Sequence, residues 1–122
     1  MISAIDMHTH INTGDKAKRS AEQMRAVGTP VNTHGGRGVT PDDMADLYQS
    51  LNMMAVIFDV DQETTSGVKI SNADTAGWVK KYPNTFIGFG SVDPWKGPSA
   101  VTEVQRCADM GLRGMKDRKS VV

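Results

Sequence analysis

This 122-residue chain lacks several features that would assign it to a protein class at once. Its single cysteine, Cys107, excludes an intrachain disulfide, and the helical pattern around it favours a buried thiol over a nucleophile. The chain has no apolar run near the roughly 18 residues of a membrane span, and no basic segment followed by an apolar one at its N-terminus. We therefore expect no membrane partner, no secretion signal and, by default, a cytoplasmic protein.

The chain also lacks an excess of charge of either sign. Fourteen basic residues balance fourteen acidic ones, and the basic residues are scattered among acids and aliphatic side chains. A nucleic-acid partner is not expected, because binding to a polyanion needs a concentrated basic surface. The length suits one ordinary domain and falls well short of the roughly 250 residues of a complete (β/α)8 barrel.

What the chain does contain is the run Asp6-Met7-His8-Thr9-His10, directly after the apolar stretch 1–5. Side chains two residues apart in a β-strand project from the same face, so we expect the two imidazoles side by side at the carboxyl end of a strand. Neutral imidazole is a good zinc ligand, and this pair supplies half of a metal site. Asp6 is expected on the same face, either as an acceptor that orients an imidazole or as an ordinary strand-end carboxylate.

Strand and helix patterns alternate along the rest of the chain. Nearly continuous apolar runs are typical of parallel strands covered on both faces, and the predicted strands are residues 1–8, 53–58, 86–90 and 112–116. Helix starts are predicted at Thr40-Pro41, Asn72 and Pro98, a helix end at Gly111, and a short helix over 16–27. This order predicts an α/β fold with parallel strands joined by helical crossovers.

Three segments, in this order, resemble the amidohydrolase-related proteins, in the branch that contains aminocarboxymuconate-semialdehyde decarboxylase and hydroxybenzoate decarboxylases. They are Asp6 to His10, Gly88-Phe89-Gly90-Ser91-Val92-Asp93-Pro94 and Gly111-Leu112-Arg113-Gly114-Met115-Lys116. The resemblance covers residues 1–116 and implies the first four strands, half of that family's metal-dependent (β/α)8 TIM barrel. The Asp-x-His-x-His string alone is less specific, since histidinol-phosphatase-like proteins and TatD-type nucleases carry similar strings.

The resemblance implies that His8 and His10 bind a divalent metal, with zinc the most suitable ion. It also implies a hydrolase or decarboxylase of a small carboxylated compound, aromatic or dienoic. The family takes its other ligands and its acid or base from later strands, so we expect this stretch of chain to be inactive alone, and no catalytic acid or base is assigned. A homo-oligomer of the complete protein is left open.

The resemblance ends after Lys116, where the family usually continues with an apolar residue and His-Pro. This chain instead ends in the hexapeptide Asp117-Arg118-Lys119-Ser120-Val121-Val122. That hexapeptide, followed by a stop, is one reading frame of a widely used sequencing-adapter oligonucleotide, GATCGGAAGAGCGTCGTGTAG. We therefore expect residues 1–116 to be the N-terminal half of an amidohydrolase-like barrel domain and residues 117–122 to be a non-native tail, with a chance hexapeptide as the alternative.

Four further residues are candidates for contact with substrate or with a metal ligand, namely His34, Asp59, Trp95 and Lys116. Each has a plainer interpretation. His34 is then a surface histidine beside glycines, Asp59 a turn residue like Asp61, Trp95 an aromatic at the barrel rim, and Lys116 a strand-end lysine without a catalytic role.

Two other functions are left open. A noncatalytic half-barrel would act by self-association, pairing the exposed edges of its first and fourth strands with another chain. A TatD-like metal-dependent nuclease is disfavoured, because residues 86–93 do not match its strand motifs and no basic face is visible.

Overall fold

The computed structural model describes residues 1–13, 18, 22, 25–28, 38–67 and 69–117 of the chain. Within these ranges the fold is α/β, as the alternating patterns predict, and it is built on a four-stranded parallel sheet. Most of the predicted helix over 16–27, the candidate His34 and residues 118–122 of the tail lie outside the described residues.

The four predicted strands are confirmed, and two short ones are added. The strands are β1 (Ala4–Thr9), β2 (Asn12–Thr13), β3 (Gly38–Val39), β4 (Met53–Ile57), β5 (Phe86–Ser91) and β6 (Gly114–Lys116). The main sheet has the order β1-β4-β5-β6, and each neighbouring pair is parallel. β2 and β3 form a separate antiparallel pair, which the sequence analysis did not predict because two residues are too few to show a period.

Three of the helices below begin close to their predicted starts, and the short helix Glu63–Ser66 was not predicted. The helices are α1 (Pro41–Ser50), α2 (Glu63–Ser66), α3 (Asn72–Lys81) and α4 (Pro98–Asp109), with a 3-10 turn at Pro94–Lys96. The Thr40 hydroxyl caps α1 by accepting a hydrogen bond from the Asp43 N–H at 3.0 Å. The predicted cap of α3 was wrong by one residue, because the Ser71 hydroxyl accepts from the Asp74 N–H while Asn72 is buried and bonds to β5. No helix in the described ranges is long and apolar enough to cross a membrane.

The end of α4 explains the burial of the lone cysteine. Gly111 has a φ of 86°, and its N–H donates to the Ala108 carbonyl while the Leu112 N–H donates to the Cys107 carbonyl. This is a Schellman ending, and it confirms the predicted role of Gly111. Cys107 and Leu112 are both buried there, and burial raises the pKa of the Cys107 thiol, which favours the inert thiol form.

The sheet has two faces with different neighbours. The core between the sheet and the helices consists of Met44, Ala45, Ala55, Ile57 and Phe86. Side chains alternate along a strand, so Val56 and, one residue past β4, Phe58 point to the opposite face, here called the inner face. Both are nearly fully buried, with 1% and 3% of their surfaces exposed.

Candidate functional site

A β-bulge in β1 decides where the two histidines point. Asp6 pairs with Ala55 of β4, and Thr9 pairs with Ile57, so three steps along β1 match two steps along β4. A bulge of one residue shifts the alternation of the side chains that follow it. Thr9 therefore lies beside Ile57 on the helix side, where it is buried and its hydroxyl donates to the Val56 carbonyl at 2.7 Å, and His10 points to the inner face.

The two imidazoles meet on the inner face. The Nε2 atoms of His8 and His10 are 3.2 Å apart, and the ring centroids are 5.1 Å apart with the planes at 73°. The prediction that the two rings lie side by side at the end of the first strand agrees with this geometry. Two ring nitrogens at this separation form either a hydrogen bond or two corners of a metal coordination sphere.

The backbone fixes the tautomer of His10. Its Nδ1 lies 3.2 Å from the carbonyl oxygen of Phe58, and a carbonyl oxygen only accepts hydrogen bonds. Nδ1 therefore carries the proton, and neutral His10 presents the lone pair of Nε2 toward His8. Histidines that bind metals usually donate their other ring N–H to a carbonyl or carboxylate in this way.

The ring of Phe58 packs against both histidines. Its ring centroid lies 5.1 Å from that of His8 and 4.6 Å from that of His10, with edge-to-face planes in both pairs. Edge-to-face packing is the favoured arrangement of aromatic rings. On the same ring, the Lys116 ammonium lies 5.9 Å from the centroid, so Phe58 connects the first strand to the last.

Lys116, a candidate residue of the same site, thus lies over the ring that both histidines contact. Its Nζ donates to the backbone carbonyl of Asp117. In the described part of the chain, the ion pairs involve other residues, and no carboxylate lies within ion-pair distance of Lys116.

Asp6 does not lie on the same face as the histidines, so that expectation was wrong. The bulge separates it from them, and its carboxylate accepts a hydrogen bond of 2.6 Å from the Tyr48 hydroxyl of α1. Its other oxygen accepts the backbone N–H of His8 at 3.1 Å, so Asp6 bonds to the backbone of His8 and to no imidazole in the described contacts. Both bonds, the one from Tyr48 foremost, lower the pKa of Asp6, while burial and then Asp6 raise the pKa of Tyr48 to about 12.

Two other candidates, Asp59 and Trp95, follow β4 and β5 in the chain. Asp59 is half-buried and lines a cleft of about 200 Å³ at the start of α3, together with Phe58, Asp74 and other residues. Trp95 sits in the 3-10 turn after β5, with 76% of its surface exposed.

A polar cluster that sequence reasoning missed lies beyond β4 and β5. The buried Asp61 carboxylate accepts from Lys96 Nζ at 2.6 Å and from the Asp93 N–H at 3.1 Å. The buried Asp93 carboxylate accepts the N–H and hydroxyl of Thr64 at 2.9 and 2.5 Å, and the Thr64 hydroxyl foremost lowers the pKa of Asp93. These bonds tie the loop after β4 to the loop after β5. The only sequence signal for them was the carboxylates that follow each strand.

The histidine pair fits a metal ion but does not complete its coordination. Two nitrogens at about 2.0–2.1 Å from a tetrahedral zinc ion lie about 3.3 Å apart, close to the separation of 3.2 Å between the two Nε2 atoms. Within the described residues, no group of three or more histidine, cysteine, aspartate or glutamate side chains is placed to hold a metal ion. His8 and His10 therefore present two ligands, and a stable site needs one or two more.

Comparisons of the chain with models of protein families, with curated proteins and with solved structures find no match. The functional assignment therefore rests on the residues and on the geometry of this site.

Proposed function

We propose that this chain carries the first half of a metal-dependent (β/α)8 barrel of the amidohydrolase-related type, which hydrolyses or decarboxylates a small carboxylated compound. The observation that carries the proposal is the 3.2 Å separation of the His8 and His10 Nε2 atoms at the carboxyl end of β1. This separation suits two ligands of one zinc ion, and the Nδ1 hydrogen bond of His10 makes its Nε2 the nitrogen that carries the lone pair.

The architecture supports the same proposal. In (β/α)8 barrels the active site lies at the carboxyl ends of the parallel strands. The residues of the candidate site follow that rule, since His10 comes directly after β1, Phe58 directly after β4, and Lys116 ends β6. The four strands, parallel and neighbours in chain order, match the first four strands of such a barrel.

Each residue of the site has a proposed task. A bound zinc ion supplies Lewis acidity, polarising a substrate oxygen or lowering the pKa of bound water from 15.7 toward about 7. His8 and His10 hold the ion, and the Phe58 carbonyl keeps His10 in the tautomer that binds. The Lys116 ammonium, 5.9 Å from the centroid of the Phe58 ring, holds a carboxylate of the substrate.

Zinc titration by isothermal calorimetry tests the proposal. We expect weak binding by the 122-residue chain, because the described residues supply two ligands, and a clear loss of affinity in His8→Ala and in His10→Ala. Tyr82→Phe is the control, since the Tyr82 hydroxyl donates to Asp42 in a cluster with Lys81 whose described contacts do not include β1. Unchanged binding in both pair variants would remove His8 and His10 from the site. Metal-dependent turnover of hydroxybenzoates by the monomeric chain would show that this segment is self-sufficient.

A second candidate function, self-association, is favoured by the edge strand β1. Ile5 and Met7 of this strand are 46% and 61% exposed, which is unusual for apolar residues of a parallel sheet. The occupant would be a second copy, with its β6 edge paired to β1 as neighbouring strands pair within one sheet. Sedimentation of the chain over a hundredfold range of concentration tests it, and a monomer throughout would eliminate this candidate.

A further inference from the structure

We propose that Tyr48 and Asp6 are positioning residues for the histidine pair, because they hold the β-bulge that turns His8 and His10 to the inner face. The inference rests on the proposed metal-binding function and names residues that act on the ligands without touching the metal.

The bulge is what makes the pair possible. Asp6 aligns with Ala55, which packs against the helices, so a regular strand would point His8 and His10 to that covered face. With one residue inserted before Thr9, His10 points to the inner face, and both imidazoles contact the ring of Phe58. Loss of the bulge would therefore separate the imidazoles from Phe58 and from its carbonyl.

A bulge leaves backbone groups without their regular partners, and here a side chain replaces one of them. The Asp6 carboxylate accepts the backbone N–H of His8 at 3.1 Å, within the bulge itself. Its second oxygen is held at 2.6 Å by the hydroxyl of Tyr48. Tyr48 belongs to α1 and packs against the core, so the carboxylate is fixed to the helix layer and cannot rotate freely.

The chain offers a matched control for this pair of residues. The Tyr82 hydroxyl also donates to an aspartate, Asp42, and also joins α1 to a neighbouring segment. Lys81 completes that exposed cluster, and the contacts described for it do not include β1. Tyr82→Phe removes the same hydroxyl from the same kind of hydrogen bond, away from the bulge.

The experiment is a titration of the full chain with Zn²⁺ and, separately, with Co²⁺, whose visible spectrum reports the coordination geometry. We expect Tyr48→Phe to weaken Zn²⁺ binding by about tenfold or more, as found for residues that orient metal ligands, and to alter the Co²⁺ spectrum. Tyr82→Phe should leave both unchanged. Asp6→Ala should weaken binding at least as much as Tyr48→Phe, and adding Tyr48→Phe to Asp6→Ala should cause no further loss.

The outcomes separate this inference from the function on which it rests. If the unaltered chain binds neither ion, the metal-binding proposal fails. If it binds both, but Tyr48→Phe binds them like Tyr82→Phe, the positioning role is overturned. Circular dichroism and urea midpoints identify a variant that has unfolded. If Tyr48→Phe or Asp6→Ala has unfolded, Asp6→Asn tests the positioning role instead. Its amide oxygen can still accept the His8 N–H, so Asp6→Asn should retain more metal affinity than Asp6→Ala.

Discussion

Phe58 is expected to couple stability to metal affinity, because one nearly buried ring supports both histidines. Its surface is 3% exposed, and its ring packs edge-to-face against His8 and His10. Replacement by alanine would cost about 3–5 kcal/mol, a large part of the roughly 5–15 kcal/mol that stabilises a domain, and would risk unfolding the chain. Phe58→Leu is the better perturbation, since it keeps an apolar side chain of similar volume and removes the ring.

The expected cost of Phe58→Leu follows from two contributions. A nearly volume-conserving exchange in a core costs less than about 1.5 kcal/mol, and each lost aromatic pair adds about 0.5–1.5 kcal/mol. The total is about 1–4.5 kcal/mol, which lowers the urea midpoint by roughly 0.7–3 M for a slope of about 1.5 kcal/mol/M. Zinc affinity should fall about tenfold, as expected when the support of a ligand is removed.

The matched control is Phe86→Leu. Phe86 is 1% exposed in the core on the helix side, and its ring packs against Tyr82. This variant should lower the urea midpoint by a similar amount and leave zinc binding unchanged. The reasoning is refuted if Phe58→Leu keeps the original midpoint, or if both variants lose zinc affinity equally.

Two further predictions concern packing and pH. Gly88→Ala should destabilise by about 1–3 kcal/mol, because a Cβ there would lie 2.5 Å from the Cδ2 of Leu112, whereas Gly77→Ala, in open space within α3, should stabilise by about 0.5–1 kcal/mol. Equal urea midpoints would contradict this. Because the pKa of Tyr48 is raised from 10.0 to about 12, the stability that its protonated hydroxyl contributes is complete below pH 10 and is lost between about pH 10 and 12. Urea midpoints measured across this range should fall more steeply in the unaltered chain than in Tyr48→Phe, and parallel curves would contradict the assignment.

Local signals in the sequence were sufficient for most of the fold. The Thr40 cap, the left-handed Gly111 and the apolar run of β4 each act within a few residues, so their structures follow from propensity and pattern. The cap of α3 was misplaced because Ser71 and Asn72 are both good capping residues. What selects Ser71 is the Asn72 amide, which donates to the Ser91 carbonyl of β5 and is therefore needed in the core. A contact at a sequence separation of 19 leaves no local signal.

The candidate site was predictable only in part. The spacing of His8 and His10 predicted their proximity. The strand order places β1 and β6 at opposite edges of the sheet, and the contact of Lys116 with the Phe58 ring between them has no local signal in the sequence. The same spacing placed Asp6 wrongly, because a simple alternation cannot show a bulge. The contacts of Phe58 with the histidines were also missed. A phenylalanine in an apolar run can face either the helices or the inner face, and the sequence does not distinguish the two.

The contacts of Phe58 also limit the distance between the His10 ring and the Lys116 ammonium in the proposed site. The Phe58 ring lies 4.6 Å from the His10 ring and 5.9 Å from the Lys116 ammonium, so those two groups are no farther apart than the two distances together. A small compound is therefore long enough to reach from the ammonium to the His10 ring. This distance suits the proposed substrate, a small molecule with a carboxylate at one end for Lys116 and the reacting group at the other end, near His8 and His10.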